Sequence, residues 1–131
     1  MKEQYFVTGI GTNVGKTFIS ALLTLRLHAK YWKPIQAGNI GGTDQEQVQR
    51  LTGLPDTYFF PSQYVLATPA SPHYAATIDQ VKISVQDFSL PTTDNLIVEG
   101  AGGVFVPLNE TESIADLIMA LELPVILVSQ A

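Results

Sequence analysis

At 131 residues, 46% apolar and 15% charged, the chain has enough apolar material for one packed domain and too much for disorder. Its net charge of −5 argues against a nucleic-acid-binding face, which needs basic residues to neutralise phosphates. No apolar run approaches the roughly 18 residues of a membrane helix, and the absence of cysteine excludes disulfides and thiolate zinc sites. The opening MKEQYFVTG lacks the apolar core and cleavage site of a signal peptide, so a cytoplasmic location is expected.

Tyr5-Phe6-Val7-Thr8 reads as a buried strand ending at Gly9. After a glycine-rich turn, Ile19, Leu22, Leu23 and Leu27 recur near helical spacing and predict a helix over 16–29. Residues 31–35 read as a second strand with Pro34 near its end. A loop over 38–42 follows, and Thr43 can cap a helix over 44–51 that Gly53 stops. Four prolines over 55–72 predict mostly irregular chain, with a short helix near Ser71 and Pro72 at its first position. Another short helix is expected within 81–91. Asn95-Leu96-Ile97-Val98-Glu99 is a strand running into Gly100-Ala101-Gly102-Gly103, residues 113–121 form a helix, and 124–128 form a second continuous apolar strand. Strands of this kind alternating with helices predict an α/β fold, a doubly wound and mainly parallel sheet with helices on both faces. The chain stops directly after a buried-type strand, where a crossover normally follows, so a domain truncated at its C-terminus is expected.

The turn Thr8 to Thr17 reads TGIGTNVGKT between strand and helix, the context of a phosphate-binding loop. Glycines turn backbone N–H groups inward, the helix presents its positive end, Lys16 adds a mobile charge, and the Thr17 hydroxyl can ligate Mg²⁺. The spacing is not the usual one: the position five before Gly15 is Ile10, with Gly9 one residue early and Gly11 one late. Mg²⁺ on a nucleotide also needs carboxylates. Glu99, at the end of its strand before a glycine loop, is placed where parallel sheets deliver groups to a ligand crevice. Asp44 at a helix start is by itself better read as stabilising that helix. Lys33, in Trp-Lys-Pro-Ile, is a candidate second cation for developing phosphoryl charge. His73 reads as a buried hydrogen-bonded histidine rather than a base, His28 as a helix-end residue opposing the dipole, and Tyr58-Phe59-Phe60 as core or partner contact.

Six segments occur in order: TGIGTNVGKT, WKPIQAG, Asp44 after a glycine loop, Pro69-Ala70-Ser71-Pro72-His73, Val98-Glu99-Gly100-Ala101-Gly102-Gly103, and Leu123-Pro124-Val125-Ile126-Leu127-Val128. Together they resemble the dethiobiotin synthetase family of P-loop enzymes, across essentially the whole chain. The resemblance implies ATP- and Mg²⁺-dependent ring closure. 7,8-Diaminononanoate takes up CO₂ as a carbamate, ATP phosphorylates it, and the second amine closes the cyclic urea. It implies a homodimer with active sites near the subunit contact. It further implies that Thr12, Asn13, Val14, Gly15, Lys16 and Thr17 hold phosphates, with Lys16 also at the carbamate. Thr17, Asp44 and Glu99 would surround Mg²⁺, Lys33 would face the carbamate and the transferring phosphoryl group, and Gly102 and Gly103 would admit the diamine.

The chain departs from that pattern. Ile10-Gly11 stand where the family commonly has Thr-Asp, Asn13 where it often has Glu, and Ala37 where it often has Ser or Thr. The family also continues with an adenine-contacting segment and residues that grip the substrate carboxylate across the dimer. Three other readings compete. An amide-forming relative such as a cobyrinate diamide synthase would carry a glutaminase domain, but this chain has no cysteine nucleophile. A partition-type ATPase switch often has an additional lysine early in the loop, and none of Gly9 to Val14 is basic. An inactive truncated module is the third.

Overall fold

Gln4–Gly9 forms strand β1, an apolar run whose last four residues are buried. The computed structural model describes residues 2–11, 15–38 and 42–130. Helix α1, Lys16–Arg26, follows from Gly15, whose φ of 93° needs a residue without Cβ. It ends three residues before the expected boundary, because His28 takes a left-handed φ of 51° and turns the chain into the next strand. His28 is therefore a turn residue beyond the helix.

The expected second strand is two. Lys30–Trp32 is β2, in the main sheet, and Ile35–Ala37 is β3, in a separate pair. The break falls at Lys33 and Pro34. Proline has no N–H for a ladder, and the Pro34 carbonyl instead accepts from Gln63 and Tyr64 N–H. Helix α2, Asp44–Thr52, starts at Thr43, whose hydroxyl accepts the Glu46 N–H at 3.1 Å, and stops at Gly53 with φ 69°. The proline-rich stretch holds two short strands that the sequence does not announce, β4, Phe59–Phe60, and β5, Tyr64–Leu66. Each is held by the strand beside it, β4 by β2 and β5 by β3. Helix α3, Pro72–Asp79, has its proline at the first position as expected, whereas 81–91 holds only a 3₁₀ turn at Val85–Asp87.

Strand β6 is Leu96–Gly103, so the sheet does not end at Glu99 but runs through the glycines. They are needed there. A Cβ on Gly100 would lie 2.9 Å from the Phe6 ring, and one on Gly103 would lie 3.2 Å from the Gly11 backbone. The register against β1 slips between Val7 and Gly9, a bulge-type irregularity beside the crevice. Helix α4, Ile114–Leu121, starts with the Ser113 N–H on the Asp116 carboxylate at 2.7 Å and leads to β7, Val125–Val128.

The main sheet has the order β4-β2-β6-β1-β7, all parallel. Alternation sorts its residues between two layers. Val7, Tyr31 and Ile97 pack with Ala21 of α1 and Val48 of α2, while Phe6, Trp32, Leu96 and Val98 pack with Ala75 of α3 and Leu117 of α4. Helices thus cover both faces, and the doubly wound α/β reading holds. Strand β7, the last described strand, pairs with β1 along Val125–Val128. No described helix is long and apolar enough to cross a membrane.

Candidate active site

In an open parallel sheet the ligand crevice lies beyond the carboxyl ends of the strands, where the chain's direction across the sheet reverses. Here β1 leads outward to β2 on one side, and β6 leads across β1 to β7 on the other. The crevice therefore falls at the ends of β1 and β6, beside the start of α1. Glu99 shares a face with Ile97, two residues before it, and so points to the α1 and α2 side.

Four charged side chains converge there. Lys33 Nζ lies 2.5 Å from Asp44 Oδ2 and 3.6 Å from Glu99 Oε2, and donates to the Gly100 carbonyl at 3.2 Å. Lys16 Nζ donates to the same carbonyl at 3.2 Å and to that of Gly102. The Thr17 hydroxyl donates to Glu99 Oε2 at 3.0 Å. Lys16, Lys33 and Glu99 are all buried. Burial and the neighbouring Lys33 charge lower the Lys16 pKa to about 8, against the pull of Glu99 and Asp44. Burial pushes the Asp44 carboxyl up, but the Lys33 ammonium, with help from Lys16, brings it below the ordinary aspartate value. Two ammonium groups on one carbonyl oxygen repel each other, and the two carboxylates hold the cluster together.

Three further residues belong to this centre that sequence reasoning did not single out. The Tyr31 hydroxyl donates to Glu99 Oε1 at 2.8 Å, and burial, then the Glu99 charge, hold its pKa well above the usual phenol value. Gln36 accepts the Asp44 N–H at 3.3 Å and donates to the carbonyls of Ala37 and Gly38, fixing the start of α2 against β3. Gln47, one turn after Asp44, lines the space in front of it. The strand register that brings Tyr31 to Glu99 is a property of the folded sheet. For Gln47 a helical offset of three from Asp44 was the available signal.

Two clefts meet at this cluster. One, of about 480 Å³, is lined by Gly15, Lys16, Thr17 and Glu99. The other, of about 500 Å³, is lined by Gln36, Ala37, Ala70, Ser71 and Val106. Lys33, Asp44, Gln47 and Gly102 border both. Gly102, with φ 75°, thus stands in the site, whereas Gly103 packs on Gly11. Thr12, Asn13 and Val14 lie outside the described residues. His73 lines a different cavity, of about 510 Å³, with Lys82 and Glu112.

The donor set suits a hard divalent cation. Asp44 and Glu99 both sit within 3.6 Å of one cationic nitrogen, and the Thr17 hydroxyl touches Glu99, so all donors are oxygens around one small region. Among the described residues no cluster of three or more His, Cys, Asp and Glu side chains forms a self-sufficient metal cage. Such a cation would need phosphate oxygens and water as well, the usual habit of Mg²⁺ at nucleotide sites.

A parallel sheet of this order, with a Lys-Thr pair opening the helix after an inner strand, defines a nucleotide-binding domain of the P-loop kind. The AAA domain family model matches residues 3–131, and the chain belongs to that family. It is similar to the ATP-dependent dethiobiotin synthetase of Christiangramia forsetii, at 50% identity over 99% of this chain and 63% of the relative. It is likewise similar to the enzymes of that name from Afipia carboxidovorans, 46% identical over 97% of this chain and 61% of the relative, and Cytophaga hutchinsonii, 46% identical over 97% and 62%. The chain spans about three fifths of the length of these curated relatives.

Proposed function

We propose that this chain carries the phosphoryl-transfer centre of an ATP-dependent dethiobiotin synthetase, closing 7,8-diaminononanoate and CO₂ to the cyclic urea with release of ADP and phosphate. The observation that carries the reading is the cluster of Lys16, Lys33, Asp44 and Glu99 at the junction of two clefts, one opening on the helix start and one on β3 and the Ser71 segment. Two substrates can meet there. The similarity to synthetases rather than switches favours the enzymatic reading. Cytoplasmic location and a homodimer belong to the same proposal.

The chemistry divides as follows. One amine of the diamine adds to CO₂ and loses a proton, giving a carbamate. A carbamate oxygen attacks the γ-phosphorus of ATP and the bond to ADP breaks. The second amine attacks the carbamoyl carbon, phosphate leaves with the C–O bonding pair, and the amine's proton passes to solvent. Catalysis of phosphoryl transfer is mainly positioning and charge stabilisation. Lys16 leaves the carbonyls of Gly100 and Gly102 for the β- and γ-phosphates. Lys33, fixed by Asp44 and Glu99, meets the carbamate and the equatorial phosphoryl oxygens. Thr12 to Gly15 supply backbone N–H groups to the phosphates, and Thr17, Asp44 and Glu99 would hold Mg²⁺, which neutralises the β- and γ-oxygens when bound. Gly102 leaves room for the diamine.

The test is dethiobiotin formation, read by mass spectrometry, from diaminononanoate, bicarbonate, ATP and Mg²⁺. It uses a chain of the relatives' length that includes these 131 residues, with Lys16→Ala and Lys33→Ala beside it. Product from the parent and none from either variant is expected. Turnover retained in a variant removes that lysine from the mechanism, and no product from a folded, ATP-binding parent overturns the assignment.

A further inference from the structure

Tyr31 is fully buried, yet its one polar atom is aimed at the charged centre. Strand β2 runs parallel to β6 with Tyr31 opposite Ile97. Glu99 lies two residues further along the same face, a diagonal within reach of a long side chain. The Tyr31 ring is held in tilted contact with Phe59, 5.7 Å between centroids, so the hydroxyl has little freedom to turn elsewhere. The two Glu99 oxygens consequently have different partners. Oε1 accepts from Tyr31 at 2.8 Å, on the inner side, and Oε2 accepts from Thr17 at 3.0 Å with Lys33 Nζ at 3.6 Å, on the cleft side.

We propose that Tyr31 is a positioning residue that ties down one oxygen of Glu99, so that the carboxylate offers only the other to a nucleotide-bound cation and favours Mg²⁺ over Ca²⁺. The physical basis is the difference in how the two ions use carboxylates. Mg²⁺ takes single oxygens in near-octahedral geometry, whereas Ca²⁺ accepts both oxygens of one carboxylate in a looser shell. A carboxylate clamped at Oε1 meets the first requirement and resists the second. The inference rests on the reading of Glu99 as a cation ligand, and its test separates the two.

Binding of a non-hydrolysable ATP analogue is followed by calorimetry as Mg²⁺ or Ca²⁺ is varied, on the full-length protein and its variants Tyr31→Phe, Glu99→Gln and the double replacement. Tyr31→Phe removes only the hydroxyl. It should raise the Mg²⁺ concentration needed by about 10-fold, the scale of losing a residue that orients a metal ligand, and leave the Ca²⁺ requirement unchanged or lower. On the Glu99→Gln background the same change should have no effect on either ion, because the group it orients is gone. If Glu99→Gln shifts the Mg²⁺ requirement and Tyr31→Phe leaves the ratio of the two ions unchanged, the Tyr31 proposal is overturned and Glu99 stands as a ligand. If Glu99→Gln shifts neither ion, both readings fall. Should Tyr31→Phe not fold, the hydroxyl proton of Tyr31 in the parent, assigned by selective labelling, must move in the NMR spectrum when Mg²⁺-nucleotide binds. A stationary resonance overturns the proposal.

Discussion

Replacing Lys33 by methionine keeps most of the side chain's length and removes its ammonium. The consequence follows from what that ammonium faces: Asp44 at 2.5 Å, Glu99 at 3.6 Å and the Gly100 carbonyl. Removing one partner of a buried pair costs about 3–5 kcal/mol, because the other charge is left without compensation. The Asp44 side chain is 31% exposed, so water screens that arm. Glu99 is fully buried and is not screened in this way, which sets the expected loss near the lower end, at about 3 kcal/mol. For a domain of this size that is a fall in melting temperature on the order of 10 °C. Thermal unfolding in cation-free buffer measures it. Adding Glu99→Gln to Lys33→Met removes the stranded charge and should recover part of the loss, which a double-mutant cycle reads directly. Millimolar Mg²⁺ should stabilise Lys33→Met more than the parent, since two carboxylates left with only Lys16 to offset them bind a cation more strongly. A Lys33→Met protein that melts within about 2 °C of the parent, or one that gains nothing from Glu99→Gln, would refute the account of Lys33 as the electrostatic centre of the site.

Two further outcomes are expected. Gly100→Ala places a methyl 2.9 Å from the Phe6 ring inside a two-sided sheet, and overpacking of that kind costs about 1–3 kcal/mol. An unchanged urea midpoint would show that β6 can shift to accept it. Asp79 accepts the Thr68 hydroxyl at 2.7 Å and the Ala67 N–H at 2.6 Å, and these bonds, the hydroxyl first, lower its pKa below the ordinary value of 3.8. Its stabilising contribution is therefore complete above pH 4 or so and is lost as pH falls through the lower folded value. Asp79→Asn should flatten the acid side of the melting-temperature profile, and an identical profile would remove Asp79 as a contributor.

Part of the centre could be named from the chain alone, where a residue has its own local signal. Lys16 and Thr17 open a helix after a glycine turn and Glu99 closes an apolar run, whereas Asp44, after the capping residue of α2, reads by itself as helix stabilisation and entered the site only through the family resemblance. Helix ends with defined caps, α2 at Thr43 and Gly53 and α3 at Pro72, were legible for the same reason, since capping is short-range hydrogen bonding written in adjacent residues. The alternation of strands and helices likewise specified a doubly wound sheet.

Other features depended on which strands became neighbours. Residues 31–35 look like one strand, but β2 pairs with β6 and β3 with β5, so the run divides at Lys33 and Pro34 and delivers Lys33 into the site. The glycines after Glu99 look like a loop, yet they remain in β6 because the Phe6 ring and the Gly11 backbone need the space a side chain would fill. Strands β4 and β5 are too short to show a period and acquire their order from β2 and β3. Tyr31 is the clearest case. By sequence it is an apolar strand residue, and only the parallel register of β2 on β6 turns its hydroxyl toward Glu99. Local chemistry is encoded in neighbouring residues, whereas register and pairing are settled by the whole core at once, and that is where the sequence's authority over this site ends.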